Sequence, residues 1–310
     1  MLQLLLGGSG SGKTTLLYQR IRARAEKGEK SILLVPEQFT SSTEGRIYRE
    51  LGDTLSGMVE SFSFTSLAEK ILSTEGGAAV QTLSDAGRAV LVRRALEELQ
   101  DNVHYYHRHR RSAAFCQMAA QTIDELKSAG LSGQQLAQLA GACGAESGKL
   151  SELALIFQGY ETLLARSGMD PSDRLELAGA RLEEALARHS LPEFLRDRAV
   201  FIDEFDTFNA PKKRLLGAML AALPSVTVAL CDDGAPLLPG DLSLFSGAKQ
   251  VAAQLRQLAR KNGAEVAVPQ LLRKDLRHRN APGLAAVAEL LETGSCTCLL
   301  YTSPSPRDRG

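Results

Sequence analysis

The stretch Leu4-Leu5-Leu6-Gly7-Gly8-Ser9-Gly10-Ser11-Gly12-Lys13-Thr14-Thr15-Leu16-Leu17 constrains this chain more than any other. Its residues from Gly7 to Thr14 fit Gly-x-x-x-x-Gly-Lys-Thr. Leu2, Leu4, Leu5 and Leu6 predict a strand in front of it, and Leu16, Leu17 and Ile21 continue behind it at helical spacing. Glycines at 7, 8, 10 and 12 permit positive φ and close backbone approach, so successive N–H groups can point at phosphate oxygens. Lys13 offers a cation for the outer phosphates and Thr14 a hydroxyl for Mg²⁺. The helix starting near Lys13 aims its positive dipole end at the same anion. A bland glycine-rich turn needs neither the strand nor the helix, so Gly7 to Thr15 predicts a phosphate-binding loop for a nucleoside triphosphate.

The next residues extend that unit. The helix from Thr14 to Lys27 ends at Gly28, and Ser31-Ile32-Leu33-Leu34-Val35 is a short strand stopped by Pro36. A β-loop-α-β unit predicts a parallel sheet with a right-handed crossover. Pro36-Glu37-Gln38-Phe39-Thr40 then falls at a strand's carboxyl end, where open α/β sheets bind ligands. It also reads as a helix cap in which Thr40 or Ser41 begins a helix to Leu51. Met58 to Phe64 alternates like a strand leading into Thr65, which points Phe62 and Phe64 the same way. Two such rings can stack on bases or pack in a core, and both readings stand.

From about Glu75 to Arg188 the sequence holds no convincing strand, only amphipathic helical stretches, so a helical block interrupts the α/β pattern. Within it Asn102-Val103-His104-Tyr105-Tyr106-His107-Arg108-His109-Arg110-Arg111 mixes histidines, tyrosines and arginines. A zinc site there lacks a fourth nearby ligand. A basic, aromatic-interleaved surface for a nucleic-acid backbone and a solvated linker between helices are the alternatives. Strand character returns at Arg198 to Ile202 and ends in Asp203-Glu204. Asp203 can hold the Mg²⁺ water shell and Glu204 can polarise an attacking water. Ser225 to Cys231 is a further strand, followed by Asp232-Asp233. Ala248 to Asn262 is helical, and Gly263 to Val268 reads as a final short strand.

Composition adds bounds. A chain of 310 residues suggests about two domains, or one core with a large insertion. With 36 basic and 36 acidic residues, any basic surface must be local. No apolar run reaches the ~18 residues of a membrane span, and Met1 leads straight into a strand, so a cytoplasmic protein is expected. Cys116, Cys143, Cys231, Cys296 and Cys298 form no CxxC pair, which favours buried reduced thiols. The tail from Cys298 to Gly310 is a special case. One codon choice for Cys-Leu-Leu-Tyr-Thr-Ser-Pro-Ser-Pro-Arg-Asp spells DNA like the transposon-end adaptors of sequencing libraries. The tail therefore reads as a translated artefact, and the natural chain as truncated.

The order of motifs resembles the B subunit of the AddAB-type ATP-dependent helicase/deoxyribonuclease, within the superfamily 1 helicase lineage. The resemblance rests on Gly-Ser-Gly-Ser-Gly-Lys-Thr, Leu34-Val35-Pro36-Glu37-Gln38-Phe39-Thr40, Ser61-Phe62-Ser63-Phe64-Thr65-Ser66-Leu67-Ala68 and Phe201-Ile202-Asp203-Glu204-Phe205. It implies an α/β fold, a RecA-like P-loop NTPase core with a parallel sheet and a large all-helical insertion. The expected parts are core over 1–75, insertion over 76–190, core again over 191–270, the start of a linker over 271–297, and the artefact over 298–310. It further implies that Gly7, Gly8, Ser9, Gly10, Ser11, Gly12, Lys13, Thr14 and Thr15 hold ATP. Thr14 and Asp203 would hold Mg²⁺, with Lys13, Asp203 and Glu204 catalytic, and Gln38, Phe39, Thr40, Phe62, Phe64 and Thr65 would contact single-stranded DNA. The implied partners are DNA and an A subunit in a heterodimer. The family's iron–sulfur cluster belongs to a carboxyl-terminal nuclease region outside these residues. Two departures weigh against turnover: Cys231-Asp232-Asp233-Gly234-Ala235-Pro236 lacks a γ-phosphate-sensing Gln, and the second motor domain with its arginine finger is missing. ATP binding is accordingly a safer expectation than translocation. A DNA-binding scaffold with a vestigial ATP site and a P-loop kinase are the alternative functions.

Overall fold

In the computed structural model the described residues are 1–293, except 80, 100, 145 and 146. The chain opens with β1 (Leu2–Gly7), α1 (Lys13–Ala25), β2 (Ser31–Leu34), α2 (Thr40–Ser56), β3 (Val59–Phe62) and α3 (Phe64–Glu75). Helices α4 (Asp85–Glu98), α5 (Ala113–Ser128), α6 (Gly133–Ala140), α7 (Ser147–Ser167) and α8 (Pro171–Ala187) follow. The remainder holds β4 (Ala199–Ile202), α9 (Ala210–Ala222), β5 (Ser225–Cys231), α10 (Ser246–Lys261), β6 (Gln270–Leu272) and α11 (Pro282–Thr293). Two compact units result: 1–63 with 197–207 and 223 onward, and 64–196 with 208–222.

The first unit is built on one sheet in the order β3-β2-β4-β5-β1-β6, with every neighbouring pair parallel. Parallel strands are covered on both faces, which is why β4 is a continuous apolar run and β1 and β2 are mostly apolar rather than alternating. Leu17, Ile21 and Ala25 of α1 and Ile47 and Leu51 of α2 pack on Leu5, Leu33, Phe201 and Ala229 of the sheet. Each such aliphatic side chain contributes about 1.5–3 kcal/mol by leaving water. The register sets Gly7 beside Cys231 and Leu34 beside Ile202, so the carboxyl ends of β1, β5, β4 and β2 line up along one edge. Strand β5 lies between β1 and β4. The architecture is consistent with the expected RecA-like core joined to helical parts.

One strand falls later than its sequence pattern predicts. Leu2 N–H donates to Glu265 O at 2.7 Å and Ala267 N–H to Leu2 O at 2.9 Å, so Gly263–Val268 contributes only a bridge at Val266. Pro269 has no N–H to continue the ladder, and pairing resumes as β6.

The second unit is helical, and its described residues contain no strand, only a bridge between Thr82 and Met169. Leu91, Val92, Ala95 and Leu96 of α4 pack with Cys116, Ala119 and Ile123 of α5 and with Phe157 and Tyr160 of α7. Serine side chains start three of its helices: Ser84, Ser112 and Ser132 accept from the N–H groups of Gly87, Phe115 and Gln135. Asp170 is buried in this core, where it accepts from Tyr160 Oη at 2.5 Å and from Lys127 Nζ at 2.8 Å. Among the described residues no helix is long and apolar enough to cross a membrane. Cys116 is buried as expected, but the free thiols of Cys143 and Cys231 are exposed. Cys296, Cys298 and the adaptor-like tail lie outside the described residues.

Candidate functional site

The glycine-rich loop joins β1 to α1 at the carboxyl edge of the sheet. Gly10 (φ 80°) and Gly12 (φ 90°) take left-handed conformations that an L side chain resists, so these two glycines are backbone requirements. Gly12 is the N-cap of α1, no side chain caps this helix, and its first turn carries no acidic residue. The orphan N–H groups and the positive dipole end of α1 are therefore left to face an anion. Lys13 Nζ folds back on the loop, donating to Gly7 O at 2.8 Å, Gly8 O at 2.9 Å and Cys231 Sγ at 3.4 Å. Its charge is thus held beside the loop by neutral acceptors.

The acidic pair comes from the end of β4. Asp203 is buried, its N–H donates to Leu34 O at 3.1 Å, and its carboxylate takes a hydrogen bond from the Glu204 N–H at 3.0 Å. Burial raises the Asp203 pKa above the ordinary carboxylate value. A hydrogen bond with Thr14 opposes that rise, the Glu204 charge adds to it, and Lys13 opposes it again. Thr14 and Asp203 are therefore direct neighbours, although they are far apart in sequence. Glu204 is exposed and holds φ 64°, a left-handed conformation that costs a non-glycine residue about 1–3 kcal/mol. Strain of that kind is retained where the surroundings fix a side chain's direction.

A cavity of 380 Å³ gathers Lys13, Thr14, Thr15, Asp203 and Glu204 with Arg46, Cys231 and Arg277. The last three escape sequence reasoning. Arg46 comes from α2 and stacks on the Tyr18 ring, 4.8 Å from its centroid. Desolvation lifts the Tyr18 hydroxyl to a pKa of about 12, so it stays neutral. Cys231 was visible as a strand end, and only the register beside Gly7 brings it to Lys13. Arg277 follows β6: its guanidinium donates to Ser9 Oγ at 3.1 Å, and the neighbouring Leu276 N–H donates to Gly10 O at 3.0 Å. A Cβ at Gly10 would stand 2.7 Å from Arg277 Cβ, so this glycine also permits the close approach of the 275–277 segment.

The residues expected to touch DNA separate. Phe39 is 39% exposed and lines a second cavity, of 260 Å³, with Thr14, Arg46, Asp203 and Glu204, so the Pro-Glu-Gln-Phe-Thr segment borders the site. Gln38 is exposed, and Thr40 opens α2 with its hydroxyl bonded to Glu37 O at 2.9 Å. Phe62 ends β3 half-buried, and Thr65 is exposed. Phe64 needs correction. The strand stops at Phe62, Phe64 starts α3, and its ring is 2% exposed and edge-to-face with Phe208 at 6.0 Å. A ring buried on both faces offers none to a base.

Fold and site together define an α/β protein with a RecA-like parallel sheet, a Gly-x-x-x-x-Gly-Lys-Thr loop after β1 and an Asp-Glu pair after β4. The chain belongs to the family described as "ADDB, N-terminal", whose model matches residues 4–288. It is similar to the B subunit of the ATP-dependent helicase/deoxyribonuclease of Desulforudis audaxviator, 34% identical over 296 residues that cover 92% of this chain and 25% of that protein. Similar too are the corresponding B subunits of Moorella thermoacetica, 33% identical over 92% of this chain and 25% of the relative, and of Clostridium perfringens, 29% identical over 90% and 24%. The chain spans about a quarter of the length of these curated relatives.

Proposed function

We propose that this chain is the ATP- and Mg²⁺-binding, motor-like N-terminal region of a helicase/deoxyribonuclease B subunit. In this reading it works with an A subunit on DNA ends during recombinational repair of double-strand breaks. The observation that carries the nucleotide reading is the convergence of Lys13, Thr14, Asp203 and Glu204 on one cavity beneath an uncapped helix N-terminus. The donor set suits a hard cation: a hydroxyl oxygen from Thr14 beside a carboxylate from Asp203, both oxygen ligands of the kind Mg²⁺ takes together with substrate phosphates. Lys13 would exchange its carbonyl acceptors for phosphate oxygens, and Glu204, exposed beside Asp203, would orient water. Mg²⁺ would supply charge neutralisation for the phosphates. The DNA reading draws on the names of the relatives and on Gln38, Phe39, Thr40, Phe62 and Thr65, of which Phe39 lies beside the nucleotide cavity.

One feature favours binding over turnover. Strand β5 ends in Cys231-Asp232-Asp233, and Cys231, not a glutamine, is the strand-end side chain against Lys13. Titrating ATP into the chain in Mg²⁺ and in EDTA, for the wild type and Glu204→Gln, tests both points. Affinity is expected to fall at least tenfold in EDTA and to survive Glu204→Gln, with any slow hydrolysis lost in the variant. Equal affinity with and without Mg²⁺ would overturn the proposal.

A further inference from the structure

The segment between α4 and α5 takes no part in the nucleotide site, yet it is held in a defined shape. Glu152 of α7 is buried, and its carboxylate accepts hydrogen bonds from three successive backbone N–H groups. His104 donates at 2.8 Å, Tyr105 at 3.0 and 2.9 Å to the two oxygens, and Tyr106 at 3.3 Å. Tyr106 stacks on Phe115 with ring centroids 5.4 Å apart, and His109 lies 5.5 Å from the same ring. The Arg110 guanidinium turns back to His107, donating to its carbonyl at 3.1 Å. Val103 is buried beneath, and the exposed Tyr105 ring lies against Gly148. The Glu152 carboxylate is therefore consumed by backbone amides.

What points outward is cationic. Arg108 and Arg111 are exposed, and neither has a carboxylate partner among the described residues. No Asp or Glu occurs between Asp101 and Asp124, in a chain whose charges balance overall at 36 and 36. The adjacent helix shows the ordinary fate of surface arginines here: Arg93 pairs with Glu97 and Arg94 with Glu98, one turn along α4. Unpaired guanidinium groups on a pre-ordered loop lose little freedom when they meet a second charge, and their planar donors match phosphate oxygens.

We propose that the 104–111 loop is a sequence-independent contact for a nucleic-acid backbone, with Arg108 and Arg111 each taking a phosphate. That the nucleic acid is DNA rests on the function proposed above, whereas the loop's charge and order stand without it. Such a contact adds affinity through counterion release and reads no base.

The experiment is a salt series of DNA binding by the full chain, followed by anisotropy of labelled single-stranded and duplex oligonucleotides of equal length. Arg108→Ala/Arg111→Ala is expected to weaken binding to both about tenfold at low salt and to flatten the log–log salt dependence by about two phosphates' worth. Arg108→Lys/Arg111→Lys should restore the slope. ATP affinity should stay at the wild-type value in both variants, which separates this test from that of the nucleotide site. An unchanged slope and affinity in the alanine variant, or no DNA binding by the wild type, overturns the proposal.

Discussion

Arg277 donates a hydrogen bond to Ser9 Oγ at 3.1 Å across 268 positions of sequence. The contact brings the segment after β6 onto the glycine-rich loop and adds a cation to the cavity that already contains Lys13. A guanidinium placed there should bond the outermost phosphate, a charge-assisted interaction of about 1.5–3 kcal/mol. Arg277→Ala is therefore expected to weaken ATP binding about 10- to 100-fold and ADP binding much less. Equal losses for ATP and ADP in a competition titration would mean that Arg277 serves only the shape of the loop.

The Thr14–Asp203 pair predicts a linkage between metal and stability. Saturating ATP with Mg²⁺, at about 100 times its dissociation constant, should stabilise the wild type by about 2.7 kcal/mol. A chain of this size should then melt several degrees higher. Asp203→Asn should melt cooperatively and lose that ligand-induced rise. A full rise in the variant would remove Asp203 from the metal site.

Asp170 ties the helical unit together, because Tyr160, Lys127 and the start of α8 all bond to it. Asp170→Ala leaves a nearly buried ammonium and a buried phenol short of partners. The expected loss in urea unfolding is about 3–5 kcal/mol, and a loss below about 1 kcal/mol would contradict this role.

The same cluster sets a pH dependence. Desolvation alone would lower the Lys127 pKa, but hydrogen bonds with Asp170 and Asp173 outweigh it and leave the value above the ordinary 10.5. A raised value in the folded state means that the pairing stabilises fully below 10.5 and is lost as pH rises through the folded-state value. Lys127→Met should therefore be less stable than the wild type at pH 7 to 9. The gap should close as pH rises through that raised folded-state value. A gap that persists in strong alkali would assign the effect to packing.

Much of this arrangement was legible in the sequence because it is local. Leu4 to Leu17 carries strand, turn glycines, cation and helix in one run, and Phe201 to Glu204 carries its own strand and acids. The helical block showed itself by period alone. What stayed hidden depends on long-range register or on competition between local signals. Arg277 has no neighbour that announces a ligand, and only the pairing of β6 with β1 delivers it. Phe64 fits an alternating strand by pattern, but the helical preference of Thr65 to Glu75 captures it and turns the ring into the core. Pro269 moved the last strand because a missing N–H outweighs the apolar pattern of Glu265 to Val268.

Every part of the nucleotide proposal depends on Lys13 as a phosphate ligand. Its present bonds to Gly7 O and Gly8 O are made by a half-exposed side chain, so removing it should cost little stability. Calorimetric titration of ATP with Mg²⁺ into Lys13→Ala should show affinity reduced at least about 100-fold, with a melting temperature within about 2 °C of the wild type. Wild-type affinity in that folded variant would contradict the central claim.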